Sequence, residues 1–208
     1  MSALSGTLVG IVDDDPSVRK GLARLVKAAG YRVEVFASAR EFLARPQQED
    51  PCCLLLDVRM PGLTGLELQE ALATAGRRMS IVFVSGHGDV PGSVKAMKGG
   101  AIDFLTKPID ARELLGAIER AVARALTTQR EQAGATDVQG RLNTLTAREA
   151  QVFALVVTGM LNKQIAAELG IVEKTVKVHR ARVMEKMRAG SLAELVRLAD
   201  RASIIAKP

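Results

Sequence analysis

Three carboxylates, one hydroxyl and one lysine stand at the ends of successive apolar runs in this chain. Asp13 and Asp14 follow Leu8-Val9-Gly10-Ile11-Val12, and Asp57 follows Cys52-Cys53-Leu54-Leu55-Leu56. Ser85 follows Ile81-Val82-Phe83-Val84, and Lys107 follows Ile102-Asp103-Phe104-Leu105-Thr106. Another run, residues 31–36, carries no such group. If the runs are parallel strands, these groups meet on one edge of one sheet. Mg2+ prefers octahedral oxygen ligation and keeps several waters, so one or two direct carboxylates suffice to hold it. A carboxylate attacking a phosphoryl group must approach something already anionic. Magnesium bound by Asp14 and Asp57, with Asp13 acting through a water, reduces that repulsion. Lys107 can pair with the phosphoryl oxygens, and the Ser85 hydroxyl can hydrogen-bond one of them. Asp57 alone ends the central strand, which makes it the expected nucleophile and an acyl phosphate the expected product.

The elements that must position these groups are written between the runs. Asp15-Pro16 reads as a helix cap and first-turn proline, after which Val18, Leu22, Leu25, Val26 and Ala29 recur at helical spacing until Gly30. A second helix is expected over residues 39–45, before Pro46. Leu66, Leu68, Ala71 and Leu72 mark a third, and Asp89 with Pro91 opens a fourth that stops at Gly99-Gly100. Asp110 with Glu113 three residues later has the capping-box spacing and starts a fifth, whose inner face is Leu114, Leu115, Ile118 and Val122. Five such units predict an α/β fold, a doubly wound, flavodoxin-like parallel sheet of order 2-1-3-4-5. Ligands of such sheets sit at the carboxyl ends of the strands where strand order reverses. Here that lies between the strands ending in Asp13/Asp14 and Asp57.

Val12-Asp13-Asp14-Asp15, Leu56-Asp57-Val58-Arg59-Met60-Pro61-Gly62, Ser85-Gly86-His87 and Lys107-Pro108 together resemble the receiver domain of two-component response regulators. Gly86-His87-Gly88-Asp89-Val90-Pro91 and Ala101-Ile102-Asp103-Phe104-Leu105 are similar to its FixJ/StyR-like branch. The resemblance covers about residues 7–125. It implies that Asp57 takes phosphate from a sensor histidine kinase. It also implies that the backbone carbonyl of Arg59 is a third protein ligand to magnesium, and that Phe104 turns inward when Ser85 moves toward the phosphate. Ser85 stands where threonine is usual, and Ile109 where an aromatic is common. The competing reading is an enzyme, a magnesium phosphohydrolase working through an aspartyl-phosphate at Asp57. Such enzymes usually carry an acid two positions after the nucleophile, and here that position is Arg59.

The chain has 208 residues and a net charge of +6. Residues 1–124 hold 16 Lys/Arg and 15 Asp/Glu, whereas residues 125–208 hold 13 and 8, so the last third is the basic part. That asymmetry is what an anionic partner such as DNA calls for. The adjacent Cys52 and Cys53 read as small apolar residues of a strand. The apolar runs fall short of the roughly 20 residues that span a bilayer. With no signal-peptide pattern at the start, a cytoplasmic address is expected. Three segments are expected: a receiver over residues 1–125, a partly helical linker over 126–143 and an all-α DNA-binding domain over 144–208. The fifth helix is expected to run on to about Ala133, before Gly134.

Four helical patterns fill the last segment. Thr146 with Glu149 caps the first, Asn162 the second and Ser191 the fourth. The third covers residues 173–187, after the tight turn at Gly170. Val176, His179, Val183 and Met187 share one face of it, with His179 hydrogen-bonded locally. Lys174, Lys177, Val178 and Ala181 share the other, flanked by Thr175, Arg180 and Arg182. Helix, turn and basic helix form a helix-turn-helix pattern. Lysines can reach guanine acceptors or phosphate, and valine or alanine can touch a thymine methyl. Lys163 is placed for a phosphate contact.

Leu145-Thr146-Ala147-Arg148-Glu149, Gly159 to Ala166 and Thr175-Val176-Lys177-Val178-His179-Arg180 resemble a LuxR-type DNA-binding domain. One departure is Val172, where a serine usually caps the recognition helix. The two resemblances together imply a phosphorylation-activated transcriptional regulator that binds double-stranded DNA. They imply a homodimer when phosphorylated, no membrane partner, and RNA polymerase as a possible further partner.

Overall fold

The computed structural model of the chain describes residues 6–46, 50–77, 79–86 and 90–205. Two compact units divide between Thr128 and Gln129. The expectations placed on His87 and Asp89 lie outside the described residues.

In the first unit, β1 (Leu8–Val12), β2 (Arg32–Phe36), β3 (Cys53–Asp57), β4 (Ser80–Ser85) and β5 (Asp103–Thr106) form one parallel sheet in the order β2-β1-β3-β4-β5. Alternate residues of each strand feed opposite faces. Val9, Ile11, Cys53 and Leu55 face α1 (Pro16–Ala28) and the first turns of α5 (Ala111–Leu142), packing with Leu22, Val26, Leu114 and Ile118. Val12, Leu54, Leu56 and Phe83 face α2 (Ala39–Leu43), α3 (Gly65–Thr74) and α4 (Val90–Lys98), packing with Phe42, Leu68, Leu72 and Ala96. Both sheet faces are thus covered, which is why β1, β3 and β4 are near-continuous apolar runs, whereas β2 at the sheet edge alternates charged and apolar residues. Cys53 is fully buried and burial pushes its thiol up; Cys52 is half-buried.

Helix starts follow the capping signals. Asp15 accepts from the amides of Ser17 and Val18, and Asp110 from those of Arg112 and Glu113. Thr64 and Glu67 close a full capping box on α3. The second helix is shorter than expected, ending at Leu43, with Ala44 as its cap.

α5 departs most from expectation. It does not break at Gly134 but runs 32 residues to Leu142. Each glycine in a helix interior costs about 1 kcal/mol relative to alanine. Val138, 2 % exposed, and Leu142 are packed in the second core, and burying such a side chain is worth about 1.5–3 kcal/mol. Packing therefore outweighs Gly134 and Gly140, the two glycines of this stretch, and part of the expected linker is core.

The second unit adds α6 (Ala147–Val157), α7 (Asn162–Leu169), α8 (Glu173–Met187) and α9 (Leu192–Ile205). Val152, Val156, Ile165, Val176, Val183, Met187 and Leu195 meet in its core. Thr146 and Glu149 form the expected capping box, and Ser191 accepts from the Glu194 amide. Asn162 is not the cap of α7. Leu161 holds that place, and its amide donates to Gln164 Oε1 at 2.8 Å. Asn162 is the first helical residue, and its side-chain Oδ1 accepts from Arg180 instead. Gly170 turns the chain in the left-handed conformation, φ 64°, which a side chain would disfavour. Val172 caps α8 without a side-chain bond.

Candidate functional site

Strand register builds the first site. β1 and β3 are neighbours with Val12 beside Leu56, so the next residues, Asp13 and Asp57, emerge side by side at the carboxyl edge. Lys107 comes from the end of β5, and its amide donates to the Ser85 carbonyl at 2.7 Å. Its Nζ then reaches past β4 to Asp13 Oδ2 at 2.7 Å and Asp57 Oδ1 at 3.3 Å. Carboxylate oxygens of Asp13, Asp14 and Asp57 lie within 4.8 Å of one another. Asp13 and Asp57 are buried and Asp14 is exposed, so the cluster opens to solvent on one side. Ser85 is buried at the end of β4. Phe104 is half-buried and stacks on Phe83, ring centroids 6.3 Å apart. The Arg59 side chain is exposed, two residues beyond Asp57.

Charge is unevenly matched here. Burial pushes the Asp57 carboxyl up, Lys107 pulls it down, and Asp13 and Asp14 add to the rise. Burial works against the Lys107 cation, but its hydrogen bond to Asp13 and the charges of Asp57 and Asp13 outweigh that and raise it. Three acids against one lysine leave a surplus of negative charge in a confined space. The donors are hard oxygens without sulfur or imidazole, a set that suits Mg2+ rather than zinc or copper.

Two residues that shape this site escaped the sequence reading. Gly65 opens α3, and its amide donates to the Val58 carbonyl at 3.0 Å. A Cβ at this position would lie 2.1 Å from the Asp57 carbonyl oxygen, so only glycine lets α3 start against the acceptor strand. The Thr64–Glu67 capping spacing is the sequence signal that marks this start. Arg19 on α1 donates from Nη1 to the Asp13 carbonyl at 2.6 Å and braces the acidic loop. A guanidinium six residues from its acceptor carries no sequence signature.

α8 carries the second candidate site. Lys174, Lys177, Val178, Ala181 and Arg182 are exposed, and Thr175 and Arg180 are half-buried. Val176, Val183 and Met187 face the core. Lys177 pairs with Glu173 at 3.3 Å. Arg180 donates from Nη1 to Asn162 Oδ1 at 3.1 Å, which ties α8 to the start of α7. Lys163 is exposed on the first turn of α7. His179 is half-buried, but its Nδ1 is buried without a hydrogen-bond partner among the described residues, contrary to the expected local bond. Among those residues no helix is long and apolar enough to cross a membrane.

Residues 9–119 match the family model of the response regulator receiver domain, and residues 143–199 that of the bacterial regulatory proteins of the luxR family. The chain belongs to the two-component response regulators that join a receiver to a LuxR-type DNA-binding domain. It is 45 % identical over 204 residues to nodulation protein W of Bradyrhizobium diazoefficiens, covering 98 % of this chain and 90 % of that protein. It is 44 % identical over 191 residues to the transcriptional regulatory protein FixJ of Azorhizobium caulinodans, covering 92 % and 90 %. The solved structure of the response regulator StyR matches with a TM-score of 0.83 at 45 % identity, covering 95 % of this chain and all of that one. FixJ and StyR are regulators by name, and a receiver domain implies a sensor kinase as partner, as the LuxR-type domain implies DNA.

Proposed function

We propose that Asp57 accepts a phosphoryl group from a phosphohistidine of a sensor kinase, and that the acyl phosphate turns on binding of a phosphorylated homodimer to paired DNA half-sites through α8. The observation that carries this reading is the acidic cluster, bridged by Lys107, at the carboxyl edge where β1 and β3 end side by side. One Asp57 carboxylate oxygen attacks phosphorus, and the phosphorus–nitrogen bond breaks. The imidazole nitrogen leaves with the electron pair and takes up a proton. Asp14 and Asp57 would hold Mg2+ directly, Asp13 through a water, and the Arg59 carbonyl completes the protein's share. Mg2+ held there would supply positive charge that offsets the negative charge of the transferring phosphoryl oxygens.

Lys107, already drawn to Asp57, shifts its cation onto a phosphoryl oxygen, and the Ser85 hydroxyl donates to another. Phe104 follows Ser85 inward and carries the change to the outer surface. On α8, Lys174, Lys177 and Arg182 supply the charge, with Thr175, Val178, Arg180 and Ala181 at the base edges and Lys163 on phosphate. The protein works in the cytoplasm. It is a switch rather than an enzyme, since Arg59 occupies the place of a hydrolase's second acid.

Operator binding and sedimentation, with and without magnesium and beryllofluoride, test this. Tighter operator binding and dimerisation with the mimic, lost in Asp57→Asn, are expected. An identical response in that variant, or steady multi-turnover hydrolysis of a small phosphoester, would overturn it.

A further inference from the structure

The C-terminal end of α8 is held from two sides. Arg141, in the last turn of α5, donates from Nη1 to the carbonyl of Met187, the last residue of α8, at 2.9 Å. Its Nη2 donates to Asp137 Oδ2 at 2.5 Å, one turn back on α5, which fixes the guanidinium plane. Lys186 donates to the Thr144 carbonyl at 3.0 Å and to Glu149 Oε2 at 2.6 Å. Below the clamp, Val138 and Leu142 of α5 share a core with Val183 and Met187 of α8. The Arg141 side chain is 23 % exposed, and its Nε is buried without a partner among the described residues. An unpaired buried donor costs free energy, so the two bonds that Arg141 does make set its place. The last carbonyls of a helix lack intrahelical partners and attract cations. Arg188 follows in the left-handed conformation, φ 52°, and ends the helix there.

We propose that Arg141 is a positioning residue for DNA recognition: it clamps the end of α8 to α5 and so aims Lys174, Lys177 and Val178. This rests on the reading of α8 as the helix that contacts DNA. A helix of 15 residues is about 22 Å long at 1.5 Å per residue. A tilt of about 5° at the clamp moves the far end about 2 Å, beyond the few tenths of an ångström that a hydrogen bond to a base tolerates. Arg141 acts without touching DNA.

The test uses the full-length protein, a duplex that the wild type selects from a random pool, and poly(dI-dC) as non-specific DNA. Arg141→Met should weaken binding to the selected duplex about tenfold, the worth of one base contact. Non-specific affinity and the salt slope should stay unchanged. Unchanged specific affinity, an equal loss on both DNAs, or a salt slope reduced by about one would overturn the proposal, the last by making Arg141 a phosphate contact. Thermal melts show whether the variant is folded at the assay temperature. If it is not, Asp137→Asn, which keeps Arg141 but frees the guanidinium, should lose about threefold on the selected duplex alone, and no loss counts against the clamp. The double variant Lys174→Ala/Lys177→Ala separates the two readings. If it leaves the selected duplex bound as before, the assignment of α8 fails; if it weakens binding and Arg141→Met does not, only the clamp fails.

Discussion

At Asp57, burial and the neighbouring Asp13 and Asp14 push the carboxyl up, and Lys107 only partly offsets them. The folded protein therefore holds this proton to higher pH than the unfolded chain does. The associated stability is present at acid pH and is lost as pH rises through the raised value. At neutral pH the ionised carboxylate is a burden that the fold carries for its chemistry. In magnesium-free buffer, Asp57→Asn should raise the melting temperature of the first unit by a few degrees and flatten its pH dependence above the ordinary carboxyl range. Calorimetry across acid to neutral pH checks this, and a lower melting temperature would contradict it. Gly65 makes the opposite case. Gly65→Ala places a methyl 2.1 Å from the Asp57 carbonyl, and relieving such overpacking costs about 1–3 kcal/mol. A melt that does not move would show that α3 can retreat freely.

Among the elements, the helix starts of the second unit differ in how they are secured. α6 has a full capping box whose Glu149 also meets Lys186 at 2.6 Å. The hydrogen bond from Lys186, then that from the Thr146 amide, hold the Glu149 carboxyl down from 4.5 to about 2. A depressed carboxyl contributes stability above its unfolded value, and this is lost as pH falls through the folded one. Unfolding of the second unit should therefore ease steadily from about pH 4.5 toward 2. Glu149→Gln keeps the cap and loses the ion pair, so its melting temperature should be lower at neutral pH and nearly level across that window. A wild-type slope in the variant would contradict this. α8, by contrast, starts at Val172 with no side-chain bond. Val172→Ser should supply the missing acceptor and stabilise the helix start by about 0.5–2 kcal/mol. Slower hydrogen exchange at the amides of Lys174 and Thr175 in DNA-free protein is the readout. Unchanged exchange would mean that something other than the cap limits the start.

Over the whole molecule, what the sequence made legible was what local rules govern. Apolar runs followed by Asp13, Asp57, Ser85 and Lys107 disclosed the strands, their parallel order and the edge where the groups meet. Capping pairs such as Thr146 with Glu149 disclosed helix starts. What stayed hidden depends on contacts between distant residues. The continuity of α5 through Gly134 is decided by Val138 and Leu142 finding the second core. The need for glycine at Gly65 is set by a carbonyl on another element, and Arg141 is placed by a carbonyl 46 residues away. Asn162 misled because its side chain was already engaged by Arg180.

Asp57 is the residue proposed to carry the phosphoryl group. Phosphorylation of the full-length protein with a small phosphodonor and magnesium, reduction of the acyl phosphate with borohydride, and mass mapping of the peptides test it directly. A single reduced site at position 57, absent from Asp57→Asn, is the expected result. A trapped acyl phosphate at Asp13 or Asp14, or none at all in the wild type, would contradict it.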